Sequence, residues 1–280
     1  MRLKKLPVLV VRGKTITEVW ERSVVKTWEE GIEIKTEYDK PGDPLSKDST
    51  TVMIVEEPLA EPRIHLSLTG SFLDLGKYRE EVISGYLDHL VEEGKLPYTY
   101  HERLFSYGEV EDNINQIKYI IEKLSKIPHS RRAQAITWNP RSDPARDSPP
   151  CLQRMWSRCL RDEEGKLYLN INLHWRSRDA YKAAFMNMFT VTELQKLIAE
   201  EISAKRGEEV LVGQYIDISD SYHIYGRDFE DFETRLLKSM KKRVFYDKDN
   251  RLNSRTIRSD DSLIVSAFEQ AKKMVRPNLS

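Results

Sequence analysis

The sequence predicts a single α+β domain, built on a mixed or mostly antiparallel sheet that is flanked by helices. The chain has 280 residues, of which 39% are apolar, enough to fill one sizeable core. Residues 167–175 alternate apolar and polar side chains, which is the period-two pattern of a strand with unlike faces. Helical and extended segments follow one another without strict alternation, which argues against a doubly wound parallel sheet. We therefore expect one domain over residues 1–280.

The individual elements follow from periodicity and from the residues that bound each run. Apolar side chains that recur at helical spacing predict amphipathic helices over residues 16–30, 75–93, 113–126, 180–203, 229–242 and 261–275. Short β-rich runs between turn-forming residues predict strands over 51–57, 63–70, 133–139, 167–175 and 209–219. Residues 40–50 have the composition of a loop.

Charge and hydropathy narrow the class of protein. The chain carries 45 Lys and Arg against 45 Asp and Glu, so no surplus of positive charge indicates a nucleic-acid or membrane partner. No apolar run approaches the ~20 residues of a membrane helix, and the apolar stretch LPVLVV near the start is too brief for a secretory signal. We expect a soluble, cytoplasmic protein without a nucleic-acid or membrane partner.

Two cysteines, Cys151 and Cys159, lie in what reads as one strand. Eight residues at ~3.3 Å each would separate them by about 26 Å. A disulfide needs Cα atoms within about 7 Å of each other. Both residues are therefore expected to be free thiols, as in a reducing compartment, which leaves one of them available for chemistry.

The motifs GxGxxG, GxxxxGK, HExxH and CxxC are absent from the sequence, so we predict no metal site. The remaining candidates are Cys151 in a proline-flanked turn, the adjacent Arg131 and Arg132, and Arg176 followed by Ser177. A nearby guanidinium favours the nucleophilic thiolate, and arginines with a hydroxyl can hold a phosphate. Each also has a plainer reading, since free cysteines are often small buried hydrophobes and paired arginines are usually solvated.

Four segments in order resemble thymidylate synthase. NQIKYIIEKLSKIPHSRRAQAITWNP at 115–140 resembles the family's helix, its SRR phosphate motif and its strand with a Trp-Asn pair. PPC at 149–151 resembles the nucleophile loop, and RSRDAYKAAFMN at 176–187 matches the RSxD…N block. SYHIY at 221–225 resembles the HxY ribose motif. The resemblance extends over residues 107–225.

The resemblance implies a thymidylate synthase-like fold in which two copies pair sheet to sheet as a homodimer. It implies methyl transfer to C5 of dUMP from a methylene-carrying reduced pterin, with Cys151 adding as a thiolate to C6 of the uracil ring. Arg176 would hold the nucleotide phosphate, and Ser177 would add a hydroxyl donor. Arg131 and Arg132 would reach the phosphate in the neighbouring subunit's site.

The resemblance also assigns five further residues. Asn187 would pair with the pyrimidine edge, because an amide donates to O4 and accepts from N3–H of uracil. His223 and Tyr225 would contact the 3′-hydroxyl of the sugar. Asp179 would bind the pterin, and Tyr107 would belong to the water network that helps to remove the C5 proton.

Several positions depart from the family pattern. Leu152 follows the nucleophile where most members have histidine, and Trp175 stands where most have glutamine. Ala183 replaces a glycine, the N-terminal phosphate-loop arginine has no clear counterpart beyond Lys47, and the tail MVRPNLS lacks the usual hydrophobic closing residue. These features resemble the archaeal branch, which implies a methylene-tetrahydromethanopterin type of donor as an alternative to methylene-tetrahydrofolate.

Two other functions remain open at the level of the sequence. A pyrimidine nucleotide hydroxymethylase on the same fold would let water, rather than hydride, capture the new carbon, and loss of the closing tail favours water entry. A noncatalytic nucleotide- or RNA-binding relative would keep the phosphate site without turnover. The retained Cys151 argues against the second, because phosphate binding does not require a thiol.

Overall fold

A computed structural model of the chain describes residues 5–108 and 112–275. The strands are β1 (Val8–Gly13), β2 (Ile32–Ile34), β3 (Ser46–Val55), β4 (Ile64–His65), β5 (Gln134–Ile136), β6 (Leu152–Arg161), β7 (Leu167–Trp175), β8 (Arg178–Asp179), β9 (Val210–Ile224) and β10 (Thr256–Ile257). The α-helices are α1 (Ile16–Glu30), α2 (Phe72–Ser84), α3 (Asp88–Glu92), α4 (Tyr100–Phe105), α5 (Gln116–Lys126), α6 (Ala184–Arg206), α7 (Phe229–Phe232), α8 (Lys238–Lys242) and α9 (Ser262–Val275).

Within the described residues, eight strands form one mixed sheet. The order is β1-β3-β9-β7-β6-β5, with β2 paired to β3 and β8 paired to β9. Strands β1 and β3 run parallel, as do β7 and β9, whereas β3–β9, β6–β7 and β5–β6 are antiparallel. Strands β4 and β10 form a separate antiparallel pair. The prediction of one α+β domain with a mixed sheet flanked by helices is confirmed.

The two faces of the sheet differ in burial. Helices α1, α5 and α6 contact the inner face, and along β7 the residues that alternate from Leu167 to Trp175 are buried there. On the outer face, Val8 and Val10 are 68% and 56% exposed, and Ile136 and Leu160 are 40% and 44% exposed. The outer face therefore presents large apolar side chains to solvent, which in soluble proteins often marks an interaction surface.

The predicted helix over 75–93 is wrong as a single element. Helix α2 ends at Gly85, which adopts a left-handed conformation with φ of 68°, and α3 begins only at Asp88. A Cβ on residue 85 would lie 2.2 Å from His101 Nδ1, so both the backbone and the contact require glycine. The predicted 229–242 helix is present, with α7 and α8 joined by the π-helical turn Glu233–Leu237.

Several strand boundaries also differ from those predicted. Strand β3 includes residues 46–50, which we expected to be a loop, because its polar side chains are buried and bonded: Ser49 Oγ lies 3.0 Å from Thr51 Oγ1. The 63–70 strand is reduced to β4, and β9 continues to Ile224, within the SYHIY segment. Strand β1 was not predicted, because apolar side chains on both of its faces remove the period-two signal.

Candidate active site

The strand topology brings the predicted motifs to one end of the sheet. Cys151 immediately precedes β6 and Arg176 immediately follows β7, its antiparallel neighbour, and the Arg176 main-chain N–H donates to the Cys151 carbonyl at 2.9 Å. Strand β9 runs parallel to β7, so its last residues, including His223, lie at the same end of the sheet. The segments that carry Cys151, Arg176 and His223 are therefore close in space although they are separated in the sequence.

A cleft of about 570 Å³ opens at this end of the sheet. Its volume is within the range of small-ligand sites. Seven of the predicted site residues line it: Cys151, Arg176, Ser177, Asp179, Asn187, His223 and Tyr225. Two of the departures, Trp175 and Ala183, line it as well. The structure thus places most of the residues implied by the resemblance around one space.

Cys151 is a partly buried free thiol in the cleft wall. Burial raises the pKa of this thiol, and the positive charges of Arg176 and Arg178 oppose the rise. The guanidinium effect expected from the sequence is therefore present, but burial outweighs it in the free protein. Cys159 is also free, as expected, and burial raises its pKa to about 12.

Arg176 is held in place by the turn that carries the thiol. Its Nε donates to the carbonyl of Pro150 at 3.0 Å, and its Nη2 donates to the carbonyl of Pro149 at 2.8 Å. These two bonds use one side of the guanidinium fork, which leaves further N–H groups for an anionic ligand.

Arg178, which lines the cleft, forms a buried ion pair with Asp217; the two side chains are 1% and 0% exposed. Arg178 Nη2 also donates to the carbonyl of Ala184 at 3.0 Å, and Nε to Asn187 Oδ1 at 3.4 Å. The Asn187 amide donates to the Tyr78 hydroxyl at 2.6 Å. Because an amide has two N–H groups and two oxygen lone pairs, Asn187 keeps one of each for a ligand.

Asp179 lies in the cleft wall with one carboxylate oxygen already bonded. The main-chain N–H groups of Tyr181 and Lys182 donate to Oδ1 at 3.1 and 2.8 Å. Burial raises the pKa of Asp179 to about 6, and the charge of Asp228 adds to the rise. Oδ2 has no hydrogen-bond partner among the described residues, so this oxygen can accept from N–H groups of a ligand.

His223 and Tyr225 form one side of the cleft. Their rings meet edge to face with centroids 4.6 Å apart, and the Arg227 guanidinium lies 4.1 Å from the centre of the Tyr225 ring. Burial lowers the pKa of His223 to about 4, so the ring is neutral at physiological pH.

The structure does not bring Tyr107 into the cleft. Its hydroxyl donates to the carbonyl of Trp138 at 2.9 Å. Tyr100 lines the cleft instead, and its hydroxyl accepts from the main-chain N–H of Leu152, the residue after the nucleophile, at 3.3 Å. Both tyrosines belong to one tyrosine-rich stretch, YTYHERLFSY. No periodicity distinguishes Tyr100 from its neighbours.

Three candidate phosphate ligands do not line this cleft, two of which, Arg131 and Arg132, were predicted to act in a neighbouring subunit's site. Arg131 and Arg132 are exposed at the start of β5 and do not line the cleft. Lys47 Nζ forms an ion pair with Glu33 at 3.2 Å and is not part of the lining either. Four residues that the sequence analysis did not single out also line the cleft: Tyr38, Ser148, Arg178 and Arg227.

Comparisons with known proteins identify the family of the chain. A family model for thymidylate synthase matches residues 8–273. Relatives named "Putative thymidylate synthase" include a protein of Methanocaldococcus jannaschii, 31% identical over 230 residues, covering 79% of this chain and 93% of its own length. A second, from Methanosarcina mazei, is 29% identical over 225 residues, covering 80% and 93%. The chain belongs to the thymidylate synthase family.

Likeness to a solved structure supports the thymidylate synthase fold. The thermostable thymidylate synthase A from Bacillus subtilis superposes with a TM-score of 0.58 at 17% identity, covering 80% of this chain and 84% of that chain. No helix among residues 5–108 and 112–275 is long and apolar enough to cross a membrane. The same residues contain no cluster of three or more His, Cys, Asp or Glu that could hold a metal ion.

Two departures from the thymidylate synthase family pattern are buried beside the nucleophile. Leu152 is 1% exposed and Trp175 is 2% exposed. Trp175 stacks edge-on against Tyr100, and the Arg178 guanidinium lies 4.3 Å from the centre of its indole ring. Trp175 therefore contributes an aromatic ring to the cleft lining, whereas Leu152 is buried beside the nucleophile and is not part of the lining. The tail from Arg276 onward lies outside the described residues.

Proposed function

We propose that this chain makes dTMP by reductive methylation of dUMP at C5, through a covalent bond between Cys151 Sγ and C6 of the uracil ring. The observation that carries the proposal is the composition of one cleft wall. A free thiol lies beside two arginines and shares its cleft with Asn187 and His223. Membership of the thymidylate synthase family supports a methyltransferase-type enzyme.

The first step needs the thiolate of Cys151. Its electron pair forms the bond to C6, while the pair of the C5–C6 double bond moves toward C5 and the O4 carbonyl, which makes C5 nucleophilic. Burial disfavours the thiolate in the free protein, so the charges of Arg176 and Arg178 matter most when the cleft is closed to water. At the end of the reaction the C5 proton has been lost, the double bond re-forms and Cys151 leaves as thiolate.

A reduced pterin, of the methylene-tetrahydrofolate or methylene-tetrahydromethanopterin type, supplies the methylene carbon and a hydride and is released in its dihydro form. Asp179 is the residue that would hold it, through the carboxylate oxygen that has no partner among the described residues. The buried indole ring of Trp175, which lines the cleft, would help to exclude water from the reacting carbon.

The nucleotide would be bound by the remaining residues of the cleft. The free N–H of Asn187 would donate to O4 of uracil, and its oxygen would accept from N3–H. Arg176 and Ser177 would hold the phosphate, and His223 with Tyr225 would contact the 3′-hydroxyl. We assign the tyrosine of the water network to Tyr100 rather than Tyr107, because Tyr100 lines the cleft.

We further propose that two copies pair through the outer face of the sheet. The exposed apolar side chains of that face, Val8, Val10, Ile136 and Leu160, would be buried by a second copy. The Arg131 carbonyl accepts from Trp156 Nε1 at 3.0 Å, and Trp156 lies on the outer face. In such a dimer, Arg131 and Arg132 would reach the phosphate in the partner's site. We also propose that the protein is cytoplasmic, because its two cysteines are free thiols, as is usual in a reducing compartment.

Product analysis tests the proposed reaction. The protein is incubated with dUMP and each pterin donor in isotopically labelled water, and the nucleotide is identified by mass. We expect unlabelled dTMP from the wild type and from Cys159→Ala, and no product from Cys151→Ala. Labelled 5-hydroxymethyl-dUMP would identify the hydroxymethylase instead. Tight dUMP binding without any product would indicate the noncatalytic relative.

A further inference from the structure

A chain of three side chains leads from the interior of the sheet to the cleft. Asp48 of β3 and His223 of β9 are direct partners in the antiparallel ladder, and Ser221 precedes His223 by two residues. The Ser221 hydroxyl donates to Asp48 Oδ2 at 2.9 Å, and Ser221 Oγ lies 3.1 Å from His223 Nδ1. Asp48 is 8% exposed and His223 is 4% exposed.

A β-bulge between β3 and β9 positions the side chains of this chain of residues. The register of β3 and β9 shifts between Ser49 and Thr51, where β9 carries one extra residue. Such a bulge re-aims the side chains that follow it. Beyond it, Tyr222 faces α1, where its hydroxyl lies 2.9 Å from Ser23 Oγ, and His223 faces the cleft.

The position of the protons follows from counting donors. The His223 ring is neutral, because burial lowers its pKa to about 4, so it carries a single N–H. Burial raises the pKa of Asp48, and the hydrogen bonds from Ser221 and from the Ser49 main chain oppose the rise. As a carboxylate Asp48 only accepts, so the one proton of Ser221 goes to Asp48. Ser221 Oγ can then only accept from His223, which places the ring proton on Nδ1. Nε2 is left as a bare lone pair.

Nε2 is buried and has no hydrogen-bond partner among the described residues, although His223 lines the cleft. A buried polar atom without a partner is costly unless a ligand or an ordered water satisfies it. A bare lone pair needs a donor, and among the groups of a nucleotide that reach the sugar side of the site only a hydroxyl provides one.

We propose that Asp48 is a positioning residue which, through Ser221, holds His223 in the Nδ1–H tautomer, so that the cleft selects a sugar with a free 3′-hydroxyl that donates to Nε2. The identity of the ligand rests on the proposed nucleotide function, whereas the tautomer does not. Asp48 touches neither substrate nor donor. A nucleotide whose 3′-oxygen is methylated or phosphorylated offers no proton to Nε2 and is rejected.

Ring nitrogen shifts test the tautomer directly. Long-range proton–nitrogen correlation spectra of nitrogen-labelled protein are recorded without ligand, and the His223 signals are assigned with His223→Gln. We expect a protonated Nδ1 and an unprotonated Nε2 in the wild type. In Asp48→Ala the Ser221 proton is free to bond Nδ1, so we expect the ring proton on Nε2. Ser221→Ala removes the chain by a smaller change and should lose the single tautomer.

The same variants separate a positioning role from a merely structural one. We expect the wild type to bind dUMP about tenfold more tightly than 3′-O-methyl-dUMP, the size of one hydrogen bond. This ratio should fall in Asp48→Ala and Ser221→Ala, because an Nε2–H donates to an ether oxygen as well as to a hydroxyl, while the exposed Asp249→Ala keeps it. A wild-type proton on Nε2, or variants that retain the Nδ1–H tautomer, would overturn the proposal. If the wild type binds no dUMP, the nucleotide function fails, but the nitrogen shifts still decide the tautomer.

Discussion

Arg176 and Cys151 are tied together through the backbone, with the Arg176 N–H donating to the Cys151 carbonyl at 2.9 Å. The side chain of the same arginine binds the carbonyls of Pro149 and Pro150 in the turn before the thiol. Its charge also opposes the rise that burial causes in the pKa of Cys151. One residue therefore fixes the turn and acts on the sulfur electrostatically.

Removing the positive charge of Arg176 should make the Cys151 thiol less reactive. In Arg176→Gln the pKa of Cys151 should rise further, because burial is then opposed by Arg178 alone. Alkylation by iodoacetamide at neutral pH should slow, by roughly tenfold for each unit of pKa. The measurement uses the Cys159→Ala background, so that one thiol remains. An unchanged or faster alkylation rate would contradict the electrostatic role.

Donor binding should depend on pH through Asp179. Burial raises its pKa from 3.8 to about 6, so the carboxylate persists above about pH 6 and is lost as the pH falls through that value. If the carboxylate accepts from the pterin, the KM for the donor should rise at lower pH while the affinity for dUMP stays constant. Asp179→Asn should have a high donor KM at every pH. A donor KM that is flat in the wild type would count against this role.

The buried pair of Arg178 and Asp217 should dominate local stability. Asp217→Asn leaves an uncompensated guanidinium in the wall of the cleft, so the free energy of unfolding should fall by about 3–5 kcal/mol. Urea denaturation measures this, with the exposed Asp249→Asn as the matched control. A loss below about 1 kcal/mol, the range of exposed pairs, would show that the pair is solvated.

Mixing two inactive variants tests the shared site. Cys151→Ala lacks the nucleophile, and the double variant Arg131→Ala with Arg132→Ala lacks the arginines offered to the partner. A hybrid dimer has one site with an intact thiol and intact partner arginines. Random reassembly of equal amounts should restore about a quarter of wild-type activity, since half of the dimers are hybrids. Activity that stays absent after verified subunit exchange would show that the arginines do not act across the interface.

The parts of the fold that the sequence could predict are those with one dominant signal. Residues 167–175 bury alternate side chains, and β7 was predicted at its observed bounds. The residues that meet at the cleft were found because Cys151, Arg176 and Asn187 lie in family motifs whose internal spacing is fixed. Their spatial meeting is then a consequence of β6 and β7 being antiparallel neighbours.

The parts of the fold and of the cleft that were not predicted depend on tertiary contacts, which no local sequence pattern indicates. The break after α2 is set by Gly85 against His101, a residue in a different helix. Residues 46–50 form a strand because their polar side chains find partners on α1 and β9, as Ser49 does with Thr27 at 3.1 Å. Tyr100 was overlooked for the same reason, since only the folded chain shows that its hydroxyl meets the Leu152 N–H.

Covalent trapping with 5-fluoro-dUMP asks whether the sulfur of Cys151 is the nucleophile. The wild type is incubated with this analogue and a methylene donor, and the masses of the intact protein and of its peptides are measured by mass spectrometry. We predict one adduct per chain, located on Cys151, formed equally by Cys159→Ala and absent from Cys151→Ala. An adduct that persists in Cys151→Ala, or that maps to another residue, would contradict the mechanism.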